Sequence, residues 1–324
     1  MAVEVVSTGS CVPERVVTNE DLACLVDTTD EWIRTRTGIR ERRLACGDGT
    51  SDLASAAAQR ALESSGVDPS LVDLIIAATL TPDCFTPTVS CTVQKNLGLT
   101  RATCFDLWAG CTGFVFSLMT AHSLMESGAF KCALVVGAET LSKLTDWTDR
   151  ATCVLFGDGA GAVLLISGRD SGLVRHVSGS DGARGRVLTA GGISARNPFH
   201  SSAPGDHYIR MDGSEVFKFA VRAMADSITQ VLDGTGLSTD DVSYFVPHQA
   251  NDRIIDFVAN RMGIPRGRFY TNLERYGNTS AASIPIALDE MNRAGLLRKG
   301  MKLITVGFGG GLTWGANLIT WTRG

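Results

Sequence analysis

The chain has 324 residues, more than a single hydrophobic core ordinarily serves, so about two domains or one large layered unit are expected. With 44% hydrophobic and 20% charged residues it has ample apolar surface to bury, which excludes intrinsic disorder. A net charge of -4, from 30 basic and 34 acidic residues, supplies no general attraction to nucleic acid or to an anionic membrane surface. Apolar runs such as Leu74 to Ala78 fall far short of the roughly 20 residues a membrane span needs, so no membrane insertion is expected. The opening MAVEVVSTGS lacks the basic and apolar regions of a secretory signal, and a cytoplasmic protein is expected. Nine cysteines, an odd number with no Cys-x-x-Cys pair, indicate neither a disulfide framework nor a zinc site.

Along the chain, helix and strand signals alternate. Asp52 to Ser65 carries Ala54, Ala57, Ala58, Ala61 and Leu62 on one stripe and predicts an amphipathic helix, with Leu74 to Ala78 as a buried strand after it. Cys104 to Leu107 is a short strand. Thr112 to Ser127 is apolar on nearly every face, so this helix belongs in the middle of the molecule, and Gly128 stops it. Ala133 to Gly137 and Ala162 to Ile166 read as further core strands. From about Ser167 to Pro204 the pattern weakens into Gly, Ser, Arg and Asp clusters, the expected divide between halves. Helices are then predicted over Ser214 to Leu232, Asp252 to Met262 and Ser280 to Ala294, and strands over Ser243 to Val246, Lys302 to Val306 and Ala316 to Trp321. This alternation predicts a largely parallel α/β architecture, and the similar halves suggest a pseudo-duplication.

Chemistry concentrates in four places. Cys111 lies between a strand and the all-apolar helix, where a helix N-terminus favours a thiolate; taken alone it reads first as another small buried hydrophobe. His248 ends a strand at the start of a helix, as an active-site or a merely hydrogen-bonded histidine would. Asn278, in Tyr-Gly-Asn-Thr-Ser, reads by itself as a turn or capping residue. The run from Gly307 to Gly315 brings three successive glycines between two strands, where backbone can approach a ligand. It has neither phosphate-loop nor dinucleotide-loop spacing, which disfavours a nucleotide cofactor.

Together, Ala-Gly-Cys-Thr-Gly-Phe around Cys111, Pro-His-Gln-Ala-Asn around His248, Gly-Asn-Thr-Ser around Asn278 and the ending Gly-Phe-Gly-Gly-Gly-Leu-Thr-Trp-Gly resemble β-ketoacyl-acyl carrier protein synthase III. These are the initiating condensing enzymes of bacterial type II fatty acid synthesis. The resemblance implies a thiolase-like α/β fold of two pseudo-duplicated halves in α-β-α-β-α layers. Residues 1–170 would carry the nucleophile, and 171–324 the His, the Asn and the glycine-rich oxyanion loop. It implies a Cys-His-Asn catalytic set of Cys111, His248 and Asn278, with the N–H groups of Cys111 and Gly310 as the oxyanion hole. The substrates would be acyl-CoA and malonyl-acyl carrier protein, with no metal or other cofactor, in a homodimer. By the same resemblance, Thr28 and Trp32 contact the CoA adenine, Arg150 takes its opposite face and Arg36 stands near phosphate. Gly213 and Asn251 resemble pantetheine contacts, Phe217 a channel wall, and Lys218, Arg253 and Arg261 the basic rim for the carrier protein. Two positions depart from the family. Trp108 stands three before Cys111 in place of a small residue, and Thr86 takes an acyl-pocket position that is often Phe. Specialised condensing enzymes or acyltransferases of polyketide, quinolone or olefin pathways share this layout, and a non-catalytic CoA-binding subunit is the reading from another class.

Overall fold

The computed structural model describes residues 2–168, 172–193, 198–199 and 206–323. The chain opens with β1 (Ala2–Cys11), β2 (Val16–Thr18), the short helices α1 (Asn19–Ala23) and α2 (Asp30–Thr37), and β3 (Glu41–Arg43). Helix α3 (Thr50–Ser65) leads into β4 (Leu74–Ala78), α4 (Val89–Leu97) into β5 (Thr103–Leu107), and α5 (Gly113–Glu126) into β6 (Cys132–Thr140) and β7 (Asp158–Gly168). There follow β8 (Leu173–Ser180), the ribbon strands β9 (Leu188–Ala190) and β10 (Ile209–Met211), α6 (Gly213–Leu232), β11 (Tyr244–Pro247) and α7 (Asp252–Met262). The chain closes with α8 (Leu273–Tyr276), α9 (Ser283–Arg293), β12 (Lys302–Gly309) and β13 (Thr313–Thr320).

Two sheets carry the fold, one in the order β1-β7-β6-β4-β5 and one in the order β11-β12-β13-β8. Between them lie α5 and α9, which touch strands of both; α3 and α4 cover the outer face of the first sheet, and α6, backed by α7, that of the second. The order of layers is therefore helix, sheet, helix, sheet, helix. The all-apolar α5 occupies the middle, as its composition predicts, with Phe114, Leu118 and Met125 fully buried against Ile284, Leu288 and Met291 of α9. Each such side chain contributes about 2 kcal/mol by leaving water. The alanine stripe of α3 serves close approach: a Cβ on Gly9 of β1 would collide with the Ala57 carbonyl and the Ala61 amide.

The sheets are mixed, not largely parallel. Only the β4–β5, β4–β6 and β11–β12 pairs run parallel, while β1–β7, β6–β7, β12–β13 and β13–β8 run antiparallel. The three residues between β12 and β13 are too few for the crossover that a parallel pair needs. The weak stretch after Ser167 also contains β8, an edge strand whose Arg175 to Ser180 face is only part-buried and so lacks a strong apolar signature. The expected division between residues 170 and 171 lies outside the described residues. Among the described residues, no helix is long and apolar enough to cross a membrane.

Candidate active site

Strand β5 delivers the chain to Gly110, whose φ of 53° turns it into the short 3-10 segment Gly110–Thr112 and on into α5. Cys111 sits in that turn. The end of β12 packs directly onto it: a Cβ on Gly309 would lie 2.9 Å from both the Cβ and the amide nitrogen of Cys111. The flanking hydroxyls of Thr112 and Thr313 are 2.7 Å apart and lock the two segments together. The helix N-terminus does not prevail over burial. Loss of solvation pushes the Cys111 thiol up to about 11, with Ser280 lowering it and the Glu139 charge raising it further. The resting residue is a thiol.

His248 follows β11, its amide donating to the Val306 carbonyl of β12 at 2.8 Å. The ring is buried edge-on against Phe308, centroids 5.4 Å apart, and burial pushes its pKa down to about 3, so it is neutral. Its Nδ1 lies 2.8 Å from Ser283 Oγ, which is also 2.8 Å from the Ser280 carbonyl. The hydroxyl is placed to donate to that carbonyl, which also accepts the Ser283 amide, and a turn of the O–H toward Nδ1 exchanges one acceptor for the other. When the hydroxyl donates to Nδ1, the ring carries its own proton on Nε2.

Asn278 is fastened to the segment that leads into β7. Its amide donates to the Leu155 carbonyl at 2.8 Å, and its carbonyl accepts from Gly157 at 3.0 Å. Its Oδ1 accepts from the Ser280 amide at 2.9 Å, an Asx turn. The turn reading of this asparagine therefore describes its oxygen, and Nδ2 is left as the donor.

These three residues line one cavity of about 1550 Å³ whose walls also include Trp32, Arg36, Gly213, Phe217, Lys218, Asn251, Arg253 and Gly310. Trp32 is half-buried, with the Arg36 and Arg150 guanidinium carbons 4.8 Å and 4.9 Å from its ring centre. Asn251 uses both ends of its amide structurally, accepting from Arg253 at 2.9 Å and donating to the Arg36 carbonyl at 3.0 Å, which joins α7 to α2. Lys218 is exposed and paired with Glu215 at 2.8 Å. Four expected contacts lie off the cavity wall. Thr28 has a buried hydroxyl without a hydrogen-bond partner, and Arg150 reaches the site only through the Trp32 face and is tied to the Asp27 carbonyl at 2.8 Å. Arg261 lies apart, in a shallow surface groove with Phe257 and Asn260. Thr86 is exposed; its neighbour Phe85, 69% exposed, and Trp108, 59% exposed, line the cavity instead. Sequence reasoning missed Ser280, Ser283, Glu139 and Phe85. Only the richness in Ser and Ala after Asn278 could have hinted at the first two.

Residues 105–182 match the family model for 3-oxoacyl-[acyl-carrier-protein] synthase III, and residues 232–321 match the model for its C-terminal region. The chain is 51% identical, over 99% of both chains, to a β-ketoacyl-[acyl-carrier-protein] synthase III of Clostridium acetobutylicum. The crystal structure of the Aquifex aeolicus 3-oxoacyl-[acyl-carrier-protein] synthase III superposes with a TM-score of 0.92 at 43% identity, covering 99% of this chain and 100% of that one. The priming β-ketosynthase of the R1128 polyketide pathway superposes at 0.94 with 37% identity, covering 99% and 97%. With the layered fold described above, these matches make the chain a condensing acyltransferase of thiolase-like fold, and it belongs to the 3-oxoacyl-[acyl-carrier-protein] synthase III family.

Proposed function

We propose that the chain catalyses the decarboxylating condensation of an acyl-CoA primer with malonyl-acyl carrier protein, giving β-ketoacyl-acyl carrier protein and starting fatty acid synthesis. The observation that carries this reading is that Cys111, His248 and Asn278 all line one cavity. The Cys111 thiolate attacks the primer thioester, the N–H groups of Cys111 and Gly310 hold the oxyanion, and CoA leaves from an acyl-enzyme. Malonyl-acyl carrier protein then loses carbon dioxide. The enolate oxygen needs uncharged donors, which a neutral His248 at Nε2 and Asn278 at Nδ2 supply, and its carbon attacks the Cys111 acyl group. The electron sink is the substrate's own thioester carbonyl, so the reaction calls for no metal or redox cofactor.

In the same reading the CoA adenine enters beside Trp32 with Arg150 opposite, Thr28 nearby and Arg36 toward phosphate; Gly213, Phe217 and Asn251 flank the pantetheine. Lys218, Arg253 and Arg261 face the acidic carrier protein. Residues 1–170 and 171–324 form the pseudo-duplicated halves. A cytoplasmic homodimer is part of the proposal, supported by β5 as an open sheet edge with Phe85 and Trp108 exposed beside it. Thr86 would enter the partner's acyl pocket, and Thr86→Phe is expected to shift primer competition toward shorter acyl-CoAs; an unchanged preference would remove that role. The similarity to the R1128 priming ketosynthase favours one second reading, a starter enzyme of a specialised pathway.

The test is a panel of acyl-CoA primers with malonyl-acyl carrier protein, following carbon dioxide release and carbon–carbon bond formation. His248→Ala and Asn278→Ala should lose decarboxylation, each by about 100-fold or more, while Cys111 still acquires the acyl adduct. An absent adduct on Cys111 with every primer would support a non-catalytic CoA-binding subunit.

A further inference from the structure

One carboxylate of the central layer takes no part in the proposed chemistry, yet it grips the chain that runs between two of the residues that do. Glu290, on α9, has a side chain only 11% exposed. Its Oε1 accepts from Tyr276 Oη at 2.7 Å and Arg275 Nη1 at 3.0 Å. Its Oε2 accepts from Asn272 Nδ2 at 2.6 Å, Arg275 Nη2 at 3.1 Å and Tyr270 Oη at 3.3 Å. The two parallel bonds from Arg275 are the bidentate form, among the strongest pairs a carboxylate makes, and together the donors saturate its lone pairs. Every one of them lies within residues 270–276.

That segment has little regular backbone of its own to hold it: α8 is a single turn, and the approach to it meets β11 through the Tyr270 amide, which donates to the Phe245 carbonyl at 2.9 Å. Its two ends lead to the site. At one end stands Gln249, the residue after His248, fully buried and using both ends of its amide here. Its Oε1 accepts from the Asn272 amide at 3.1 Å, and its Nε2 donates to the Tyr270 carbonyl at 3.2 Å and to the Pro247 carbonyl at 2.9 Å. At the other end, Tyr276 leads through Gly277, with φ of 63°, directly to Asn278. A Cβ on Gly157 would collide with the Tyr276 carbonyl oxygen, so the exit of α8 is pressed against the residue whose amide holds Asn278. Helix α9 also carries Ser283, the partner of His248 Nδ1, about two turns before Glu290.

We infer that Glu290 is a positioning residue for decarboxylation, fixing residues 270–276 as a bracket that sets His248 and Asn278 at one spacing, through Gln249 at one end and Tyr276 at the other. Cys111 stands outside the bracket. Its turn is held by the Thr112–Thr313 contact and by Gly309, and among the described residues no hydrogen bond of Glu290 or Gln249 reaches residues 109–113. Loosening the bracket therefore shows in one half-reaction and spares the other. The inference rests on His248 and Asn278 holding the enolate oxygen, which His248→Ala and Asn278→Ala test separately.

The experiment takes the full chain and reads the half-reactions apart: acyl transfer from acetyl-CoA to Cys111 by mass spectrometry, and carbon dioxide release from malonyl-acyl carrier protein by the pre-acylated enzyme. Glu290→Leu, which fills the space but accepts nothing, should lower the kcat of decarboxylation about 100-fold, the effect of a misplacement of about 1 Å. Glu290→Gln keeps one acceptor oxygen and should recover to within about tenfold of wild type. In both, Cys111 acylation and the KM for malonyl-acyl carrier protein should stay within about twofold. Should Glu290→Leu fail to fold, Tyr276→Phe keeps the ring, deletes one donor and should still lower kcat about threefold with acylation unchanged. Equal loss of both half-reactions in Glu290→Gln, or wild-type decarboxylation in both Glu290→Gln and Tyr276→Phe where His248→Ala has lost it, would overturn the inference. Normal decarboxylation by His248→Ala would overturn the reading beneath it as well.

Discussion

Gly309→Ala is the most direct probe of how tightly the nucleophile is held. The added Cβ would sit 2.9 Å from both Cβ and N of Cys111, and neither atom belongs to a flexible side-chain end that could swing away. Restoring ordinary contact requires roughly half an ångström of movement of the turn at 110–112, which is the full tolerance of a working active-site constellation. The expected result is about a 10- to 100-fold fall in the rate of Cys111 acylation, with an overpacking cost of about 1–3 kcal/mol. Gly310→Ala provides the control in the same glycine run. Its Cβ would meet the Leu188 carbonyl oxygen at 3.4 Å and the Leu188 side chain at 3.6 Å, an ordinary contact, and it retains the N–H assigned to the oxyanion. Stopped-flow acylation with an acyl-CoA, alongside thermal melts, separates chemistry from stability. Full activity in Gly309→Ala, or an equal loss in Gly310→Ala, would refute the steric reasoning.

Three further outcomes follow from the site. Ser283→Ala removes the hydroxyl beside His248 Nδ1 and should lower decarboxylation about tenfold or more with Cys111 acylation unchanged, while Ser283→Thr restores it; equal loss in both half-reactions would mean a merely structural serine. With burial holding the His248 pKa down to about 3, the ring is neutral above that pH and gains charge only below it. Decarboxylation by pre-acylated enzyme should therefore show no His248-dependent inflection from pH 5 to 8. Arg150→Ala removes a guanidinium from the Trp32 face and should raise the Kd for CoA about two- to fivefold by calorimetry; an unchanged or tighter Kd would put the adenine elsewhere.

Cys111, His248 and Asn278 could be singled out together only through the family resemblance, since each stands at a junction between elements where its local run also reads as ordinary structure. The central position of α5 was legible from the residues alone: a helix apolar on all faces has no surface to give to water. Strand direction was not, since a run such as Leu303 to Val306 has the same hydrophobic pattern whichever way its neighbour runs. Ser283, Ser280 and Glu139 escaped notice because what they face lies across folds of chain that no local spacing reports. Arg150 and Thr28, picked out by resemblance, lie off the cavity wall, Arg150 against the Trp32 ring and Thr28 with its hydroxyl buried.

Asn278 is pinned to the backbone of Leu155 and Gly157, more than a hundred residues earlier in the chain, and Asn251 stitches α7 to Arg36. Turnover is consequently a gauge of how well these segments stay docked. Mild heating or low denaturant that frees either tie should silence the enzyme while each sheet still holds its ladder of strands.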